Sequence, residues 1–282
     1  MLCHGLRLPG DRAINDHINR SGKGMSRSII SRLLPFLFVV LALLLHWRLA
    51  MGPDGPIAAH RLLDTDSYAR LMRVEQLWAG KGWYDSTLDR LGAPEGMPIH
   101  WTRPLDLLIL GPAVAAHAVG VPIDRAIWWS GMWVCPLLHV LACLIIVWGA
   151  RALVMREVAW FAGLAMLAQP AVASYGGVGR ADHHVLILLC VAACLSAGLW
   201  AAKDLHNRRA ALIAGLSGGA GVWIGPEAQL VVMPLLAGFG LLWVFGAGTA
   251  RPSPVRACTV PWALPWVSSS ASAWMFRSAI GW

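Results

Sequence analysis

Long apolar runs alternate along this chain with short polar patches. The runs cover roughly Ile30–Arg48, Leu105–Val121, Ala126–Trp148, Val158–Tyr175, His184–Ala202, Ala211–Ile224 and Ala228–Phe245. A bilayer span takes about 20 such residues, so the pattern predicts membrane helices rather than the elements of a soluble core. The expected fold is an all-α, polytopic transmembrane helical bundle over residues 29–250. A polar, basic leader, expected to be disordered and cytoplasmic, precedes it at 1–28, and an irregular Pro-, Ser- and Trp-rich tail follows at 251–282. The apolar run after the leader has no small-residue cleavage site and reads as an uncleaved first span.

The weakest run is 105–121, which is short and contains Gly111, Pro112, His117 and Gly120. Charge decides its status. If it does not cross, then Lys23, Arg27, Arg32, Arg151, Arg156, Lys203, Arg208, Arg209 and Arg251 all fall on the cytoplasmic side, as short basic loops do. The expectation is therefore about six spans with both termini inside. A long first outer loop, 52–125, would contain an interfacial helix. The loop at 176–183 and the turn Gly225-Pro226-Glu227 then share its outer face.

Composition agrees. The chain is 57% hydrophobic and 13% charged, where a soluble domain carries about 25% charged residues. The formal net charge of +8 sits largely beside the apolar runs. It reads as topology signal, and no nucleic-acid motif accompanies it. None of the six cysteines forms a CxxC pair, so they read as small apolar residues rather than a zinc site or disulfide framework. There is no Gly-rich phosphate loop, no GxSxG and no HExxH.

Chemistry concentrates in the outer loops. Asp64-Thr65-Asp66-Ser67 precedes a helical pattern through Tyr68, Leu71, Met72 and Trp78. Asp66 and Ser67 suit a helix cap there, and Asp66 also suits a metal ligand or polarising carboxylate. Gly179-Arg180-Ala181-Asp182-His183-His184 lies between two spans, where ionisable side chains are costly and serve function. Carboxylate plus imidazole suits a divalent ion such as Mn²⁺, Zn²⁺ or Mg²⁺, while Asp182 could also simply cap the next helix. Glu227 opens the last span and suits the helix dipole or an outer acidic cluster. Residues 82–106, with Trp83, Tyr84, Trp101 and Arg103, form a loop platform suited to a lipid phosphate, or an aromatic anchor at the interface.

These motifs together resemble a known family. TDSYARLMRVEQL after the first span, WYDSTLDRLGAPEGMPIHWTRPLDLLI, and GRADHHVLILL are similar to the N-terminal membrane half of oligosaccharyltransferase catalytic subunits, which are GT-C glycosyltransferases. The resemblance covers roughly 30–245. It implies catalytic and metal-binding roles for Asp66 and Asp182, with His184 as a further ligand. Asp64, His183 and Glu227 are accessory candidates, and Arg180 or Arg103 are candidates for substrate phosphate. It implies a divalent cation, Mg²⁺ or Mn²⁺, and a polyprenyl-phosphate- or diphosphate-linked sugar donor taken from the membrane lipid. The site would face the periplasm or exterior of a cell membrane, the inner membrane if the source is bacterial. The acceptor stays open. The family's later metal-binding Glu and its soluble acceptor domain have no counterpart here, so an inactive truncated fragment is one alternative. A transporter or a lipid-linked-sugar-binding subunit is another.

Overall fold

The structure is a computed structural model, and it describes residues 33–246. The leader and tail expected at 1–28 and 251–282 lie outside the described residues. The chain divides into two compact units at Leu44/Leu45, within the first helix. The packing below concerns the second unit.

The protein is an all-α membrane helical bundle. Its helices are α1 (Leu33–Ala50), α2 (Thr65–Trp78), α3 (Pro104–Ala118), α4 (Ile123–Ala150), α5 (Ala159–Ala168), α6 (Pro170–Tyr175), α7 (His183–Lys203), α8 (Arg208–Ile224) and α9 (Gln229–Gly246). A 3₁₀ turn, Pro226–Ala228, leads into α9. Between α2 and α3, β1 (Thr87–Leu88) and β2 (Met97–Pro98) form a short antiparallel pair, with Thr87 opposite Pro98 and Leu88 opposite Met97.

The expected spans resolve into two groups. Among the described residues, four helices are long and apolar enough to cross a bilayer: Leu33–Ala50, Ile123–Ala150, His183–Lys203 and Pro226–Phe245. The run expected over 158–175 is instead two helices of 10 and 6 residues. Pro170 causes the break, because the residue before a proline is pushed out of the α region. Gln169 accordingly adopts φ −70°, ψ 118° and caps α6, its Oε1 accepting from Val172 N at 2.6 Å. The 211–224 run is the 17-residue α8, about 26 Å long at 1.5 Å per residue. The 15-residue α3 is about 22 Å long, against a hydrocarbon core of about 30 Å.

α7 packs along α4 on one side and α8 on the other. α4 and α7 run side by side in the same direction. Cys135 Sγ donates to Asp182 O at 3.4 Å near one end, Ser196 Oγ to Ile145 O at 3.0 Å further along, and Trp200 Nε1 to Trp148 O at 3.0 Å near the other. Asp182 therefore marks one end of the pair, and Arg151 and Lys203 mark the opposite end. Ile109, Ala113, Ile127, Met132, Cys135 and Val185 are fully buried between α3, α4 and α7.

α2 departs from the expected amphipathic pattern. Its cap is Asp64, not Asp66 or Ser67: the Asp64 side chain accepts from Ser67 N at 2.8 Å. Its buried face carries Arg70 and Arg73 beside Leu71 and Val74, while Tyr68 and Trp78 are exposed. Two arginines can be buried here because Asp106 of α3 meets both.

Candidate functional site

Two loops far apart in sequence are stitched together at the start of α2 and α7. Leu63 N donates to Gly179 O at 2.9 Å. Arg180 Nη2 pairs with Asp64 Oδ2 at 3.1 Å. Ala181 N donates to Ser67 Oγ at 2.9 Å, and Ser67 Oγ donates in turn to Asp64 Oδ1. The 176–182 loop is held from beneath by Gly179 N, which donates to Met132 O at 3.0 Å. Gly179 has φ +83°, a conformation L side chains rarely adopt.

This stitching sets Asp182 in place. It is the N-cap of α7, with φ −111° and ψ 138°, and its Oδ1 accepts from His184 N at 3.2 Å. The same oxygen lies 2.7 Å from His184 Nδ1 and 3.0 Å from His183 Nδ1. The first contact is a hydrogen bond. The second is within ion-pair reach but leaves His183 Nδ1 without hydrogen-bond geometry. Burial works against the charged carboxylate, but His183, His184 and the His184 backbone N–H outweigh it. Asp182 is therefore held well below the usual carboxylate range.

One ligand atom from each of Asp182, His183 and His184 lies within 4.8 Å of the others. His183 thus joins Asp182 and His184, which the sequence had paired. An ionised carboxylate with two imidazoles fits a borderline divalent ion such as Zn²⁺ or Mn²⁺ better than Mg²⁺, which prefers oxygen donors. The orphaned, buried Nδ1 of His183 suits a ligand's role.

The other candidate residues are placed as follows. Asp66 is exposed in the first turn of α2, directly before Ser67, and contributes no atom to the ligand cluster. Asp64 is committed to the cap and to Arg180. Arg180 keeps a partly exposed guanidinium over the Tyr175 ring at 4.8 Å, and Tyr175 lies 5.1 Å from His184, so this cation borders the cluster. Glu227 is exposed in the 3₁₀ turn and outside the cluster.

Arg103 is buried. It donates to the carbonyls of Trp83 (3.0 Å), Gly82 (3.4 Å) and Asp85 (2.5 Å), and pairs with Asp106 at 3.1 Å. Its donors hold the platform loop rather than face a ligand. Asp106, 0% exposed, also meets Arg70 Nη1 at 2.8 Å and Arg73 Nη2 at 3.1 Å. Three guanidinium groups thus surround one carboxylate in a buried knot. Burial opposes the charge of Arg73 more than Asp106 supports it, pulling that group down to about 10.

The knot reaches the cluster. Arg73 Nη1 donates to Trp101 O at 2.9 Å, and Arg70 lies 4.4 Å over the Trp101 ring. That ring is 5.8 Å from His183. Ser67 was read only as a helix cap, Trp101 and Asp106 only as part of the platform loop, and Tyr175 was not foreseen as part of the site. One local signal existed: Arg70 and Arg73 fall on the same helical face as Leu71 and Val74, which implies a buried acid opposite them.

No family model matches this chain, and no curated protein does. Solved structures do. The fold is similar to the Archaeoglobus fulgidus oligosaccharyltransferase in its apo form, with TM-score 0.60 and 14% identity over 84% of this chain and 29% of that one. Its complex with Zn and sulfate gives TM-score 0.58 and 17% identity, over 86% of this chain and 31% of that one. The form tethered to an acceptor peptide containing the NVT sequon gives TM-score 0.57 and 16% identity, over 82% and 28%. The chain therefore has an oligosaccharyltransferase-like fold and spans less than a third of the length of the solved chains it matches.

Proposed function

We propose that this chain forms the metal-binding membrane half of a GT-C glycosyltransferase that uses a polyprenyl-phosphate- or diphosphate-linked sugar. The observation that carries this reading is the Asp182–His183–His184 cluster, stitched to the first turn of α2 by the Ser67–Ala181 hydrogen bond. That bond fixes Asp66 and Asp182 one residue to either side of it. The fold supports the reading, since the similar solved protein is an oligosaccharyltransferase also crystallised with Zn and sulfate.

In this reading Asp182, His183 and His184 hold a divalent cation, with Asp66 as its neighbour across the joined loops. The cation supplies charge stabilisation for the phosphate leaving group or polarises the acceptor. Arg180 pairs with substrate phosphate, for which a guanidinium fork is suited. Asp66, exposed and free to face an acceptor, orients or activates its nucleophile. Mn²⁺ and Zn²⁺ are the preferred ions on the donor set.

The site faces the outside of a cell membrane. The basic residues Arg151 and Lys203 lie at the end of α4 and α7 opposite Asp182, and Arg156, Arg208 and Arg209 flank them in sequence. Cytoplasmic loops collect such residues.

The test is transfer of label from a radiolabelled polyprenyl-diphosphate-linked sugar to a sequon peptide or to water, with purified full-length protein and Mn²⁺. Asp66→Ala and Asp182→Ala should each abolish it. Activity retained in both variants overturns the site. Metal-dependent donor binding without turnover, in wild type, favours a lipid-linked-sugar-binding subunit.

A further inference from the structure

Two histidines in the apolar helices have no part in the chemistry above. His46 lies near the end of α1 and His139 in the middle of α4. They are 4% and 0% exposed. Nε2 of His46 and both ring nitrogens of His139 have no hydrogen-bond partner. The Met166 carbonyl sits close to His139 but completes no hydrogen bond with it. An orphaned polar atom in such surroundings costs free energy. Ionisable side chains inside membrane helices serve cargo or ligands rather than packing.

The geometry suits a shared ion. The two ring centroids are 5.4 Å apart, with planes inclined by 74°. Two imidazoles bound to one ion at nitrogen–metal lengths of about 2 Å hold their centroids roughly 5–6.5 Å apart. The loop closes against this ring through Gly176, where a Cβ would lie 2.5 Å from His139 Nδ1.

Charge and donor type select the ion. Two imidazoles are neutral, and the cost of burying an ion rises with the square of its charge, so a monovalent ion is favoured. Imidazole nitrogens without a carboxylate suit copper, and the monovalent charge makes it Cu⁺.

We propose that His46 and His139 form an intramembrane Cu⁺ site, chemically distinct from the carboxylate-bearing Asp182 cluster. It ties the end of α1 to α4.

The test uses the full chain in detergent, in a Cys3→Ser/His4→Asn/His17→Asn/His60→Asn/His100→Asn/His206→Asn/Cys258→Ser background that removes the histidines and cysteines outside the helices. Cu⁺ is supplied anaerobically against a Cu⁺-chelating dye, and copper K-edge absorption reports the donors. One Cu⁺ per chain with an imidazole signature is expected. His46→Gln and His139→Gln should each weaken retention about tenfold or more, while Asp182→Ala leaves it unchanged. Gel filtration checks folding, and His46→Gln decides if the His139 variant does not fold. Three results would each overturn the proposal: no retention by the parent, equal retention by His46→Gln, or loss in Asp182→Ala.

Discussion

Ser67 and Ala181, 114 residues apart in sequence, are joined by a buried hydrogen bond of 2.9 Å from the Ala181 amide to the Ser67 hydroxyl. Asp66 and Asp182 are the next residues along each strand of chain. The bond is therefore the joint that brings two acidic loops to one place. Its loss exposes a cost on one side only, because the Ala181 N–H stays buried without a partner. Ser67→Ala should lower stability by about 1–3 kcal/mol. Thermal unfolding in detergent measures this, and amide exchange at Ala181 should rise in the same variant. A Ser67→Ala protein as stable as the parent, with Ala181 still protected, contradicts the joint.

Asp64 and Arg180 form the outer part of the same joint, but their roles differ. Asp64 also caps α2, so Asp64→Ala removes both a cap, worth about 1 kcal/mol, and an ion pair. Arg180→Ala removes a partly exposed pair worth about 1 kcal/mol or less. The stability loss should be larger for Asp64→Ala, and the loss of phosphate-donor binding larger for Arg180→Ala. Unfolding midpoints and donor binding on the two variants check the inversion.

Asp106 carries the knot. Asp106→Asn leaves three buried guanidinium groups without a carboxylate, and removing one partner of a buried pair costs about 3–5 kcal/mol. The Arg73→Met substitution should cost less, since it removes one of the surplus buried charges. Denaturant unfolding of the two variants gives the order. Arg73→Met as damaging as Asp106→Asn would mean that charge balance does not govern this cluster.

The donor set also ranks metals. With two imidazoles and one carboxylate, affinity should follow Zn²⁺ above Mn²⁺ above Mg²⁺. Saturation at about 100 times the dissociation constant should raise stability by roughly 2.7 kcal/mol, and a chelator should reverse the gain. Competition titrations followed by unfolding midpoint test the order, which Mg²⁺ in first place would contradict.

What the sequence made legible follows from what is local. Apolar run length predicts helices in a membrane, and a bundle of them is found. Asp182 next to two histidines predicts a cluster by adjacency alone. The local pattern misplaced the cap of α2, because Asp64, Asp66 and Ser67 all suit that position and only the Arg180 contact selects Asp64. It overestimated the 158–175 run because hydropathy ignores the backbone restriction that Pro170 places on Gln169. Arg103 read as a free cation on an exposed loop, while its partners are the carbonyls of residues 82, 83 and 85 and the buried Asp106. Such pairings depend on chain crossings that no window of sequence contains.

The account rests on Asp182 organising a metal centre. Mn²⁺ binding to the full-length protein, followed by electron paramagnetic resonance, measures this without needing donor or acceptor. The expected result is one bound Mn²⁺ per chain, lost in Asp182→Ala and weakened about tenfold or more in His184→Ala. Undiminished Mn²⁺ binding in Asp182→Ala would contradict it.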